Sequence, residues 1–240
     1  MKLFLAMDTA TDYGSVAVGK PGAVAAELVF AKRRHASDLM PAIVEVLRIA
    51  GGDLIDIVGI IVANGPGSFT GLRIGFSTAK GILRECRAAS LHTAPSLLCS
   101  AYGARLLSDG PVVAMYDALR GDVFGAVYSF EHGSVCCHVP PTLGKISDIR
   151  QKCEVDPIVA VGDGAMLHPH EVLAWTGRDP VGPPDFVPRA AFLLDLLAVD
   201  VATRRIDKPK AFEPEYGRLA EAQVKLEKAV GDSGGTKTGR

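Results

Sequence analysis

Two kinds of apolar pattern alternate along this chain. Short unbroken runs mark buried strands, and longer stretches with a three-to-four-residue period mark helices. The first run, 3–7, ends at Asp8. Runs at 14–19 and 23–30 follow, joined by a Lys-Pro-Gly turn, and the three predict an antiparallel meander. A helix is predicted over 35–51, capped by Ser37 or Asp38, with Pro41 tolerated in its first turn and Gly51-Gly52 as its stop. A buried strand is predicted over 56–65, then helices over 68–86 and 95–107. The second half opens with strand, turn and strand over 111–130. A further strand over 156–165 runs into Gly-Asp-Gly, residues 177–188 form a proline-rich loop, and a helix covers 189–204. Residues 231–240 hold no apolar side chain and predict a disordered tail.

The two halves resemble each other. "LAMDTATDYGSVAVG" and "VAMYDALRGDVFGAVYS" each run from an apolar strand through Ala-Met, an aspartate, a polar turn and a glycine into another strand. Chance likeness and a duplicated unit both remain open on this short match. The elements predict two α/β lobes, 1–108 and 109–230, with mixed sheets rather than a doubly wound parallel sheet.

Composition narrows the function classes. The chain has 240 residues and 48% apolar content, enough for a full core. Its 26 Lys plus Arg against 27 Asp plus Glu give a net charge of −1. A protein that grips nucleic acid unaided usually carries a basic surplus, so any nucleic acid is expected to reach this chain through a partner, although an average can hide a local patch. The five cysteines are odd in number and lack a C-x-x-C pair. That excludes a disulfide framework and a zinc ribbon and fits a reducing compartment. The N-terminal apolar run is too short for a signal or membrane segment, so a cytoplasmic protein with no membrane association is expected.

"NGPGSFTGLRIGFSTAKG", 64–81, raises the central question. It lacks the Gly-Lys pair of a P-loop, and Thr70 stands where a dinucleotide loop needs its third glycine. Ser68 can cap the helix, and free N–H groups there can attract an anion. An ordinary strand-to-helix turn explains the loop equally well. The helix after it carries Gly71, Gly75 and Ala79 on one face. Interior glycines cost about 0.5–1 kcal/mol each, which points to close approach of another backbone. The 35–51 helix is apolar on more than one face. Ala36, Met40, Ile43, Leu47 and Ala50 form a stripe that Leu39 and Val46 widen, with Val44 and Ile49 off it. Packing on a partner and packing in a three-layer core are both consistent with this.

Other chemistry is sparse. Asp8 and Asp117 end strands and can hold a metal or cap a turn. His168 and His170 lack helical metal spacing and a third ligand. No G-x-S-x-G elbow occurs, and no cysteine has an activating neighbour in sequence.

"MDTATDYGSVAV", "NGPGSFTGLRIGFSTAKGI" and "PEYGR" (214–218) resemble, in order and spacing, the TsaB family, also called YeaZ. The likeness covers residues 1 to about 220. The last motif departs from the family's Pro-x-Tyr-Leu-Arg at Gly217. The resemblance implies an actin-like ATPase (ASKHA) fold of two lobes with a duplicated ribonuclease-H-like motif. It implies a non-catalytic subunit that binds and activates TsaD in forming N6-threonylcarbamoyladenosine beside the anticodon of tRNAs reading codons that begin with A. TsaD carries H-x-x-x-H metal ligands on a helix; here His35 is followed four residues on by Leu39, so no catalytic residue and no metal are expected. The implied partners are TsaD in a heterodimer, TsaE in a ternary complex, and a second copy of the chain when alone. The implied partner-binding residues are His35, Leu39, Met40, Ile43, Val46, Leu47, Phe69, Leu72, Arg73, Gly75, Phe76 and Ala79. Asp8, Thr9, Gly65, Gly67 and Ser68 would form a nucleotide-proximal loop, with no tightly bound cofactor but ATP or ADP at the complex interface. Two enzyme alternatives stand beside this: an ATP-dependent phosphotransferase of the same superfamily, which lacks its D-x-G glycine after Asp8, and a glycoprotease-like peptidase.

Overall fold

A computed structural model describes residues 1–30, 35–107, 109–131, 133–199 and 202–217. Arg218 and the predicted tail lie outside the described residues. The predicted meander is present: β1 (Leu3–Asp8), β2 (Gly14–Lys20) and β3 (Ala23–Phe30) pair antiparallel in succession. The helix α1 (His35–Ile49) crosses to β4 (Ile57–Ala63), which lies parallel to β1 on its other side. After α2 (Phe69–Glu85), β5 (Ser90–Ala94) adds parallel to β4, and α3 (Ser96–Ala104) follows.

The second half repeats the plan. β6 (Val112–Asp117), β7 (Val123–Glu131) and β8 (Ser134–Gly144) form a meander, α4 (Ile146–Gln151) crosses over, and β9 (Val159–Val161) lies parallel to β6. The Asp8 and Asp117 segments are thus equivalent parts of a duplicated strand unit. They share a local device as well. Asp8 Oδ1 accepts from Ala10 N at 2.9 Å, and Asp117 Oδ1 accepts from Leu119 N at 2.8 Å. Each aspartate caps its own turn two residues on.

Three helices and one strand complete the described chain: α5 (Asp163–Leu167), α6 (Pro169–Thr176), α7 (Ala191–Leu196) and β10 (Arg204–Ile206). β10 pairs antiparallel with β5, so the first sheet runs β10-β5-β4-β1-β2-β3 and the second β8-β7-β6-β9. This corrects the expected lobe boundary, because the chain after about residue 190 returns to the first lobe. α7 packs on β1, β2 and β3, where Leu193, Leu194 and Leu196 are fully buried, and Ala190 N donates to Ser15 Oγ at 2.8 Å. The helix predicted over 189–204 is also shorter than expected. Its second half is rich in β-branched Val and Thr and leads into β10.

Alternation along the strands sorts the core into layers. Ala6, Ala17, Ile61 and Ala63 face inward from the first sheet, and Ala114, Tyr116, Ala126 and Tyr128 from the second. α7 and α3 fill the space between the sheets and pack on each other. Leu5, Met7, Val16, Val18, Ile60 and Val62 face outward, under α1 and α2. Val113, Met115 and Val127 face outward from the second sheet, under α4 and α6. Among the described residues, no helix is long and apolar enough to cross a membrane.

Candidate partner-binding face and the glycine loop

The glycine loop is a packed turn between β4 and α2. Ser68 caps α2 as predicted, its Oγ accepting from Gly71 N at 3.2 Å. The loop's neighbours come from three directions. Gly65 N donates to Ser96 Oγ and Gly65 O accepts from Ser96 N, both at 2.9 Å. Asn64 O accepts from Glu215 N at 2.8 Å, and Ser68 N donates to Ala10 O at 2.7 Å. Gly65 has φ +106°, and a Cβ there would lie 2.0 Å from Glu215 O. A Cβ at Gly67 would lie 2.4 Å from Ala10 O. The N–H groups of Gly65, Ser68 and Gly71 are therefore spent inside the chain. Asp8 and Thr9 are buried behind the loop rather than opening on it. The five residues expected near a nucleotide do come together, but as a closed turn that does not fit a phosphate.

The small-residue face of α2 also turns inward. A Cβ added at Gly71 would meet Thr9 O at 2.0 Å, and one at Gly75 would meet Thr9 Oγ1 at 2.6 Å and Val62 at 3.5 Å. Thr9 Oγ1 donates to Gly71 O at 2.8 Å. The close-approaching backbone demanded by these glycines is the end of β1 in the same chain.

Burial divides the predicted partner face. Leu39, Ile43, Val46 and Leu47 of α1, and Leu72, Gly75, Phe76 and Ala79 of α2, are buried against the first sheet. These eight form core, not free surface, which corrects their assignment. Met40 and Arg73 are exposed, and Phe69 is half-buried. His35 opens α1, and its side chain lies outside the described residues. The sequence reading missed Val44, which is 56% exposed one turn from Met40 at 42%. Its apolar character off the main stripe was the available signal. Met40 and Val44 make an apolar crest on the solvent side of α1, flanked by exposed Ser37, Pro41 and Arg48.

A C-terminal strap covers the other edge of α2. Phe212 packs on Phe76 with ring centroids 5.4 Å apart, and Tyr216 on Phe69 at 4.5 Å. Arg73 lies 3.9 Å over the Phe69 ring, and its Nε donates to Tyr216 OH at 3.2 Å. Gly217 adopts φ +69°, and a Cβ there would come within 2.6 Å of Phe124 and 2.9 Å of Pro66. That close packing accounts for glycine where the family has leucine.

A cleft of about 440 Å³ opens between the two turns, lined in part by Thr11, Asp12, Tyr13, Asp117 and Asp163. Asp163 as a residue is exposed, but its carboxyl is crowded by the cleft wall, which pushes its pKa up. Asp117 N and Gly164 N donate to it at 3.1 and 2.9 Å and oppose the rise, while the charges of Asp117 and Asp12 add to it. Among the described residues no Lys or Arg lines this cleft. An anionic phosphate chain would face carboxylates, so these residues do not fit a nucleotide by themselves.

The remaining candidates hold no catalytic set. His168 Nδ1 lies 3.3 Å from Glu171 Oε1 at the start of α6, and His170 sits in that helix's first turn. Among the described residues no three His, Cys, Asp or Glu side chains form a metal-holding group. Burial pushes the thiols of Cys86, Cys99, Cys137 and Cys153 up, the opposite of nucleophile activation.

Residues 27–155 match the family model of TsaD, tRNA N6-adenosine threonylcarbamoyltransferase. The chain is 34% identical over 132 residues to the tRNA threonylcarbamoyladenosine biosynthesis protein TsaB of Escherichia coli, covering 55% of this chain and 57% of that protein. It is 30% identical over 228 residues to TsaB of Bacillus subtilis, covering 92% of this chain and 96% of that one. The solved structure of YeaZ from Pseudomonas aeruginosa superposes with a TM-score of 0.66 at 24% identity, over 82% of this chain and 91% of that chain. That match shows the shared actin-like fold. With a near full-length relative at this identity, the chain belongs to the TsaB (YeaZ) family.

Proposed function

We propose that this chain serves the formation of N6-threonylcarbamoyladenosine in tRNAs reading codons that begin with A, as a non-catalytic subunit that binds and activates TsaD. The observation that carries this reading is the crest of Met40 and Val44, an apolar pair held in solvent by a helix whose opposite face is already committed to the core. Leu39 supports the non-catalytic part. It stands where TsaD has its second metal-binding histidine and is 1% exposed among core side chains. The contact face is accordingly the solvent side of α1, where exposed Met40 directly follows buried Leu39. On this reading the same face closes a homodimer when TsaD is absent, TsaE joins the heterodimer, and any ATP or ADP belongs to the assembly.

Light scattering on this chain mixed with TsaD from the same organism tests the proposal. A one-to-one heterodimer is expected. Met40→Glu with Val44→Glu should weaken it more than tenfold while leaving the melting temperature unchanged. Normal association of that double variant would remove the crest from the interface.

A further inference from the structure

We propose that a basic groove along the strap side of α2 holds the phosphate backbone of the tRNA substrate. The groove, of about 960 Å³, lies between the C-terminal half of α2 and the turn at Pro209–Ala211. Lys80, Arg84, Arg87 and Lys210 supply four of the nine described residues that line it, and none of those nine is acidic. The chain as a whole carries a net charge of −1, so this is a local concentration of cations. Lys80 pairs with Glu213 at 3.5 Å, whereas Arg84, Arg87 and Lys210 form no ion pair with any described residue. Gly81 lines the groove with nothing within 4 Å of where its Cβ would be, so a backbone can approach closely.

The lining also says what kind of contact this is. Among the described residues its lining holds no aromatic ring on which a base could stack and no Asn, Gln, Asp or Glu to read a base edge. Cations alone position a backbone without reading sequence. A protein partner is disfavoured, because a stable protein interface needs an apolar centre depleted of charge. Lys80 shares an edge of α2 with Phe76, the edge lined by Phe212 and Glu213 of the strap. The Met40 and Val44 crest belongs to α1, so groove and crest can be occupied together. The naming of tRNA as the polyanion rests on the proposed role in tRNA modification; the phosphate chemistry of the groove does not.

The test is fluorescence anisotropy of the full chain with a labelled unmodified tRNA transcript and with an unrelated RNA hairpin, between 50 and 200 mM salt. For three or four phosphate contacts the slope of log K against log salt should be about −2 to −3.6. Arg84→Glu with Arg87→Glu should weaken both RNAs at least tenfold at 50 mM salt and flatten the slope. Lys152→Glu with Arg178→Glu, two exposed cations of the second lobe, should leave binding unchanged. In the complex with TsaD, the groove variant should keep the heterodimer by light scattering but raise the KM for tRNA about tenfold. Equal affinity and equal KM in variant and wild type would overturn the proposal. Loss of the heterodimer in the groove variant would make the groove a protein contact and overturn it as well. RNA binding by a wild-type chain that never associates with TsaD would leave the groove standing and remove the activator reading instead.

Discussion

The two sheets share four strands of identical order and direction, yet their outer layers differ. The crossover between the third and fourth strands is α1, 15 residues long, in the first lobe, and α4, 6 residues long, in the second. Both anchor on their own sheet, α1 through Leu39, Ile43 and Val46, and α4 through Ile146 and Ile149. Four turns of helix have sides to spare, and α1 uses them to hold Met40 and Val44 in solvent. The two turns of α4 are occupied in covering the sheet. The longer crossover helix of the first copy thus keeps an exposed side beside the side that does the ordinary work of burial.

The largest expected effect comes from separating those two sides of α1. Leu39→Asp places an unpaired carboxylate in the core and should cost about 4 kcal/mol or more, read by urea unfolding. Met40→Asp, its neighbour in sequence, should change stability by about 0.5 kcal/mol or less and act on association with TsaD alone. A Leu39→Asp chain that melts normally and only fails to bind TsaD would return the buried stripe to the partner face.

The second contrast lies along α2. Gly75→Leu drives a side chain into Thr9 Oγ1 and Val62 and should destabilise by about 3 kcal/mol. Gly81 is exposed with open space around it, so Gly81→Ala should stabilise by about 0.5–1 kcal/mol through helix propensity. Equal responses at the two glycines, measured by thermal melting, would mean that the inner face of α2 is not pressed on the end of β1.

The sequence carried β1 to β4 and α1 to α3 to within about three residues, because each is a pattern with its own punctuation, whereas β5 at Ser90–Ala94 is not marked as a strand by its short run. β3 at Ala23–Phe30 and the Ser68 cap are examples. Elements whose stability comes from distant partners were not legible. β8 alternates weakly because it is largely exposed and contains Pro140 and Pro141. β10 is three residues long and exists through pairing with β5. The predicted strand over 156–165 shrinks to Val159–Val161, since Gly162 at φ +103° turns the chain where a Cβ would lie 2.1 Å from Met115 O. The site fared similarly. Helical period identified α1 and α2 as doubly apolar, but which stripe meets the sheet depends on the packing of Leu5, Met7 and Ile60 beneath them. The strap over Phe69 and Phe76 comes from residues more than 130 positions away and left no local signal.

The smallest expected effect concerns β10, which with β5 extends the first sheet beyond the four strands of the second. His92 on β5 is the cross-strand partner of Arg205 on β10, and its Nε2 lies 2.9 Å from Ser90 Oγ. Burial chiefly, and the Arg205 charge secondarily, hold the imidazole below its ordinary value of 6.5. A histidine depressed in the folded state binds fewer protons there than in the unfolded chain. Its stabilising share is therefore fully present above about pH 6.5 and declines as pH falls from there through the folded value. Arg205→Gln should raise the His92 pKa only part of the way back, because burial is the larger cause, and the backbone ladder to β10 should persist. NMR titration of the His92 ring measures this directly. Full return to 6.5 would mean that β10 had detached and exposed the ring, and no movement at all would mean that Arg205 does not face it across the ladder.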